Sequence, residues 1–205
     1  MRPNTKQSCI AFSGSRRVAS GAISIVAVKV KRQLEKHPDS TCLVFDETTS
    51  RQVELDLRGT EEDVLRRLAQ AETPEDPEKA GVGRPKLGVV AREVTLLPRH
   101  WEWLALHPGG ASAALRRLVE DAKIRNRARD EARRSQEAVH RFMTAVAGNL
   151  PHFEEALRAL YANERTRFDS RIALWPRHVR EHVKNLSRTA FRSATAAQSS
   201  AGPNP

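Results

Sequence analysis

Apolar and polar positions fall into short, separable blocks along this chain. "CIAF" (Cys9–Phe12) and "RVAS" (Arg17–Ser20) flank "SGSR", whose glycine suits a tight turn, so a β-hairpin is expected. Ile23, Val26, Val30 and Leu34 then recur at helical spacing between Ala22 and His37, and Pro38 stops the run. "TCLVF" (Thr41–Phe45) and "RQVELDL" (Arg51–Leu57) surround "DETTS" as a second expected hairpin. In its outer arm Val53, Leu55 and Leu57 alternate with Glu54 and Asp56, as a half-buried strand requires. Thr60 with Asp63 three residues on resembles a capping box, opening a helix that carries Val64, Leu65 and Leu68. The order predicted for residues 1–72 is therefore ββαββα, a small α/β domain.

The stretch "ETPEDPEKAGVGRPK" has no periodicity and is rich in Pro, Gly and charge, so residues 73–88 read as a linker. A short apolar strand, "VTLL" (Val94–Leu97), then runs into Pro98 and a tryptophan-rich helix. Trp101, Leu104 and Ala105 share one face of that helix and Trp103 with Leu106 extends it, so it is expected to bury nearly all round. "HPGGAS" ends it and offers Ser112 as N-cap of a long helix reaching Ala147. The apolar stripe of this helix runs through Leu115, Leu118, Val119 and Ala122, and thins to Ala128 and Ala132. It resumes at Val139, Phe142, Met143 and Val146. Its middle, "KIRNRARDEARRSQE", is charged nearly all round and must be solvated or bound to something. "GNLP" (Gly148–Pro151) breaks the helix. Helices are expected at Phe153–Ala162, around Phe168–Trp175 and at Pro176–Phe191, with a disordered tail over 193–205. The predicted fold class is α+β: the N-terminal domain, a strand-helix-helix element over 89–147, and a mainly helical region over 148–192.

Charge sharpens this division. Residues 1–80 balance 13 Lys and Arg against 13 Asp and Glu, residues 81–150 carry 13 against 7, and residues 151–205 carry 9 against 5. The whole net charge of +10 thus follows the first segment, an electrostatic footprint for a polyanion or an anionic surface. A basic proteome bias that favours Arg is the bland alternative. No apolar run approaches the length of a membrane span. "GAISIVAV" (Gly21–Val28) is short, is followed rather than preceded by "KVKR", and lacks a cleavage site, so it is not expected to be a signal peptide. Cys9 and Cys42 each lie inside an apolar run and read as reduced core residues of a cytoplasmic protein.

A buried strand cannot leave its backbone groups unpaired, and "VTLL" has no neighbour strand in its own segment. It is expected to pair with the same strand of a second copy, making a homodimer. The exposed amides of Gly110, Ala111 and Ser112 would form a phosphate seat, with Arg116 and Arg117 about one turn on. The strand ending in "LP" (Leu97–Pro98), the Ser112 cap after two glycines, and "ALRRLV" (Ala114–Val119) together resemble the ribbon-helix-helix superfamily of DNA-binding regulators, the MetJ and Arc type. That resemblance covers about 31 residues and implies a two-stranded antiparallel ribbon in the major groove. The family register would turn Glu93, Thr95 and Leu97 inward and Arg92, Val94 and Leu96 toward DNA; the apolar pattern alone prefers Val94 and Leu96 inward. A one-residue slip exchanges the two faces, so both Arg92 and Thr95 stand as candidate base contacts. Over the whole chain, particularly "GRPKLGVVAREVTLLPRHWEWL" (Gly83–Leu104) and "FDETTSRQVELDLRG" (Phe45–Gly59), the sequence resembles the bacterial family called domain of unknown function 2239, which implies no activity.

Within the linker "GRPK" places Arg84 and Lys86 like the core of an AT-hook, a minor-groove contact, although Val82 stands where a basic residue usually precedes; the plainer reading is a stiff linker end. Trp101 and Trp103 could stack on bases, yet beside leucines at helical spacing they read as core. His178 and His182 in "HVREH" are spaced to bind one metal from a helix face, but without a third ligand nearby they read as two exposed histidines, and no metal or cofactor is expected. Neither a nucleophile with its base nor a phosphate loop stands out, so an enzyme is not expected. The expected function is a cytoplasmic dimeric DNA-binding regulator, with an N-terminal module for a small ligand or a protein partner and phosphate contacts at Arg84, Lys86, Gly110, Ser112, Arg116 and Arg117. The alternative is a protein–protein adaptor in which the same element serves dimerisation and an acidic partner.

Overall fold

The structure, a computed structural model, describes residues 7–70, 90 and 92–199, the last eight through their backbone alone. The described residues up to Gln70 and those from Arg129 onward make one compact unit, and those between make a second.

In the first unit β1 (Ser8–Ser13) and β2 (Arg16–Ala22) form the expected hairpin. Gly14 turns it with φ 55°, a left-handed conformation that costs glycine least. The pairing runs Ser8 opposite Ala22 to Ala11 opposite Ala19, then slips by one residue, a β-bulge, so that Phe12 faces Arg17. After α1 (Ile23–Lys36), β3 (Cys42–Asp46) returns antiparallel to the other edge of β1, with Ile10 opposite Phe45. The strand order is β2-β1-β3.

Every apolar residue of the central strand is buried, and its alternation divides them between two cores. Cys9 and Ala11 join Ile23, Val26, Ala27 and Val30 of α1 and Val64 and Leu68 of α2 (Glu61–Gln70). Ile10 and Phe12 point to the opposite side, with Phe45, against helices from the C-terminal half of the chain. A strand covered on both faces must be apolar at successive positions, which is why "CIAF" does not alternate. Burial of one such Ile or Phe is worth roughly 1.5–3 kcal/mol. The capping box opens α2 as expected: the Thr60 amide donates to Asp63 Oδ2 at 3.0 Å and the Asp63 amide to Thr60 Oγ1 at 3.2 Å. Arg32 binds Glu61 through two hydrogen bonds of 2.7 Å, joining α1 to α2.

The expected strand at Arg51–Leu57 does not form, and the order is ββαβα. Its alternation is real, since Val53, Leu55 and Leu57 pack half-buried on the α1 core. Among the described residues one bridge, Phe45 to Gln52, and two backbone hydrogen bonds, Asp46 N–H to Arg51 O and Val53 N–H to Val44 O, hold its start to β3. Beyond that point side chains from both helices take its carbonyls: Lys31 reaches Leu57 O, and Arg67 reaches Asp56 O and Arg58 O. Helix cations thus replace a strand neighbour.

The second face of the sheet is covered by the later part of α4 (Gly110–Ala147), by α5 (Phe153–Tyr161), α6 (Arg165–Arg171) and α7 (Arg177–Ser199). Phe142 stands edge-on to both Phe12 and Phe45, with ring centroids 5.0 and 5.4 Å apart. Trp175 is buried and donates its indole N–H to Pro151 O at 2.8 Å. Segments expected as an N-terminal domain (1–72) and a C-terminal region (148–192) therefore share one core. α7 continues to Ser199, so the expected disordered tail is helical over 193–199; its alanines favour continuation. Residues 200–205 of that tail and the expected linker over 73–88 lie outside the described residues. Both cysteines are free thiols, Cys9 buried and Cys42 half-buried. Among the described residues no helix is long and apolar enough to cross a membrane.

Candidate nucleic-acid interface

The candidate DNA-contact residues fall in the second unit, on an extended segment followed by two helices. Arg92–Leu97 carries no regular structure, so the expected strand at Val94–Leu97 is not a strand within one chain. Val94 and Leu97 are exposed and Leu96 is half-buried. Arg92 and Thr95, the two candidate base contacts, are both exposed. Leu97 is extended, at φ −68° and ψ 149°, as a residue before proline prefers, and Pro98 opens α3 (Pro98–Ala105) from the position where a missing N–H costs nothing.

α3 does not bury all round as its sequence suggests. Leu104 is its buried residue, while Trp101 stays 42% and Trp103 48% exposed. Trp103 packs on His107 with ring centroids 4.0 Å apart, and His107 Nδ1 lies 2.9 Å from Trp103 O, closing the end of the helix with a local contact rather than a core. The chain then turns through Gly109 and Gly110, at φ 84° and 73°, conformations that a side chain would strain. A Cβ at Gly109 would also meet the Ala113 methyl at 3.0 Å.

Because the second glycine already belongs to α4, Ser112 sits inside the first turn, exposed, and is not the N-cap that the sequence suggests. The Gly110 amide is engaged by His107 O at 3.0 Å, which removes one donor from the expected phosphate seat. Arg116 and Arg117 follow on α4, both exposed; Arg116 Nε reaches back to Ser112 O at 3.2 Å. The structure thus brings Gly110, Ser112, Arg116 and Arg117 together within two helical turns, and keeps Arg92 and Thr95 on the segment before α3. Further along α4, Lys123 pairs with Glu120 at 3.1 Å, and Arg125 and Asn126 bond carbonyls of their own helix. Arg84 and Lys86 lie outside the described residues.

His178 and His182 are not two exposed helix histidines. His182 is 5% exposed, set between the rings of Phe142 and Phe12 at 4.5 and 5.8 Å, and burial lowers its pKa to about 4. His178 is half-buried, and its Nδ1 accepts the Arg17 backbone N–H at 3.2 Å. The signal for this was present: Val179, Val183, Leu186 and Ala190 form a helical stripe, and His182 lies three residues after its first member. Among the described residues no group of three or more His, Cys, Asp or Glu side chains could hold a metal.

Neither a curated protein nor a solved structure matches the chain. The profile of the family described as "uncharacterized protein conserved in bacteria", domain of unknown function 2239, matches residues 8–187, so the chain belongs to that family.

Proposed function

We propose that this protein is a dimeric DNA-binding regulator of the cytoplasm, whose second unit works as a ribbon-helix-helix element. One observation carries the reading: of thirteen exposed large apolar side chains among the described residues, nine lie between Val90 and Ile124. So much exposed apolar surface within one stretch of chain calls for a partner. A second copy suits it because Val94–Leu97 pairs with no strand among the described residues, and an antiparallel match of two such segments satisfies their backbones. Arg92, Arg116 and Arg117 lie within this stretch, and the N-terminal turn of α4, exposed at Ser112, adds the positive end of a helix dipole. In this reading the pair of extended segments enters the major groove and the arginines hold phosphates.

The adaptor reading draws on a different observation. Glu93 is exposed in the very segment that would face DNA, where a carboxylate meets phosphate repulsion. Replacing Arg116 and Arg117 with Ala separates the two. A DNA-binding dimer should lose affinity for every sequence about equally, and its log–log salt slope should become shallower by roughly one per lost contact. Parental DNA affinity in the double variant at every salt concentration would replace the DNA reading with the adaptor.

A further inference from the structure

We propose that the cleft between the Glu47–Thr49 turn, α4 and α7 binds a small zwitterion of the amino-acid class bearing an uncharged polar side chain, its carboxylate on Arg134 and its ammonium on Glu47. The proposal stands whether or not the chain binds DNA. The cleft encloses about 540 Å³ and lies wholly within the first unit. That volume is ordinary for a small-molecule site.

Its walls are fixed before any ligand arrives. Asp46 Oδ1 accepts the amides of Thr48 and Thr49 at 3.0 and 2.6 Å and both their hydroxyls at 2.8 Å, while Gln7 Nε2 donates to Oδ2 at 2.7 Å. Burial pushes the Asp46 carboxyl up, but those hydrogen bonds outweigh it and hold the pKa near 2, so the turn keeps its anchor. The Arg141 guanidinium binds Thr49 O from α4. On the far side the Ser135 hydroxyl bridges α4 to α7, donating to Leu186 O and accepting from the Ala190 amide. A site ordered in advance loses less affinity to ligand-induced ordering.

The chemistry of the lining selects the ligand. Glu47 on the turn and Arg134 on α4 bring opposite charges to the lining, and the Ser8 hydroxyl donates to Glu47 Oε2, which holds that carboxylate in place. Arg133 and Arg141, the neighbouring cations on α4, are occupied by Glu137, whereas Arg134 is exposed at the rim. Glu131 adds a second carboxylate to the lining, which disfavours phosphates and other polyanions. Thr48, Thr49, Asn185 and Thr189 supply neutral hydrogen-bonding groups. His182 lines the deep side of the cleft, and its Nε2 is sealed from solvent without a hydrogen-bond partner. An amide or hydroxyl on the ligand is what the neutral groups of Thr48, Thr49, Asn185 and Thr189 accommodate.

The test is calorimetric titration of the full chain with each proteinogenic amino acid at millimolar concentration, in the absence of DNA. Saturable binding should be confined to polar, uncharged members such as glutamine or serine. Arg134→Ala and Glu47→Gln should each weaken it by roughly tenfold or more, as expected for a lost charge-assisted hydrogen bond. The deaminated analogue of the best ligand should bind the parent weakly and be indifferent to Glu47→Gln. Arg134 is on the surface, so that variant should fold; its circular dichroism checks this. Absence of saturable binding by any member, or unchanged affinity in a folded Arg134→Ala variant, overturns the proposal.

Discussion

Phe142 and Trp103 are both aromatic residues on helices, and the chain treats them differently. Phe142 is fully buried among Phe12, Phe45 and His182, whereas Trp103 leaves 48% of its surface open and leans on one neighbouring histidine. α4 repeats the contrast along its own length: Leu118, Val119 and Ile124 are exposed, while Val139, Phe142 and Met143 are fully enclosed. Both halves carry an apolar stripe at helical spacing. Periodicity therefore announces that a face will be covered and leaves open whether the cover is the same chain or another.

The largest effect should come from the enclosed side. Phe142→Ala removes a ring from the contact of sheet and helices and should cost about 3–5 kcal/mol of stability. A shifted denaturation midpoint, equal at all protein concentrations, checks it; a strongly concentration-dependent loss would mean that the first unit also needs a partner. Next comes acid. The folded chain holds His182 neutral down to a pH of about 4, whereas the unfolded chain protonates it near 6.5. Between these values the unfolded state binds the extra proton, so stability falls as pH drops through the window, by about 3 kcal/mol in full. Glu47 favours the charged imidazole and Arg17 opposes it, but burial dominates. His182→Phe should remove this limb of the stability–pH curve; an unchanged limb would assign it to other groups. Thr60→Ala, which opens the capping box of α2, should cost about 1 kcal/mol by the same denaturation assay. The smallest effect on the folded chain is expected from Leu106→Ala. This side chain is 83% exposed, so chemical denaturation of dilute protein should change by less than about 0.5 kcal/mol. Sedimentation of the same variant should show weaker self-association, and parental association would remove Leu106 from the covered surface.

Elements written by neighbours in the chain were legible in the sequence. The turn at Gly14, the stripe of α1 and the Thr60–Asp63 box depend on residues a few positions apart, and each stands where its pattern placed it. What failed was set by distant groups. The alternation at Val53–Leu57 is that of a strand, but Lys31 and Arg67 take the carbonyls that a ladder would use. His182 shares its spacing with His178 and looked like a surface pair until β1 and α4 enclosed it. At the candidate interface the two glycines mark a helix boundary, yet α4 starts at the second of them, two residues before Ser112, and strips Ser112 of its capping role. The apolar character of Trp101 and Trp103 was plain; burial within one chain did not follow from it.

Cys9 equips the molecule with a chemical clock for its own opening. It sits in the middle strand of the sheet with its side chain in the core under α1 and α2, so that these helices must lift before reagent can enter. Burial, helped by Asp46 and Glu47, lifts its thiol pKa to about 11, so the reactive thiolate is scarce as well as hidden. Cys42, half-buried where β3 begins opposite Ser13, lies at a strand end and only at the edge of the same core. Alkylation should therefore proceed in two phases, a faster one at Cys42 set by fraying and a slower one at Cys9 timed by the separation of α1 and α2 from the sheet.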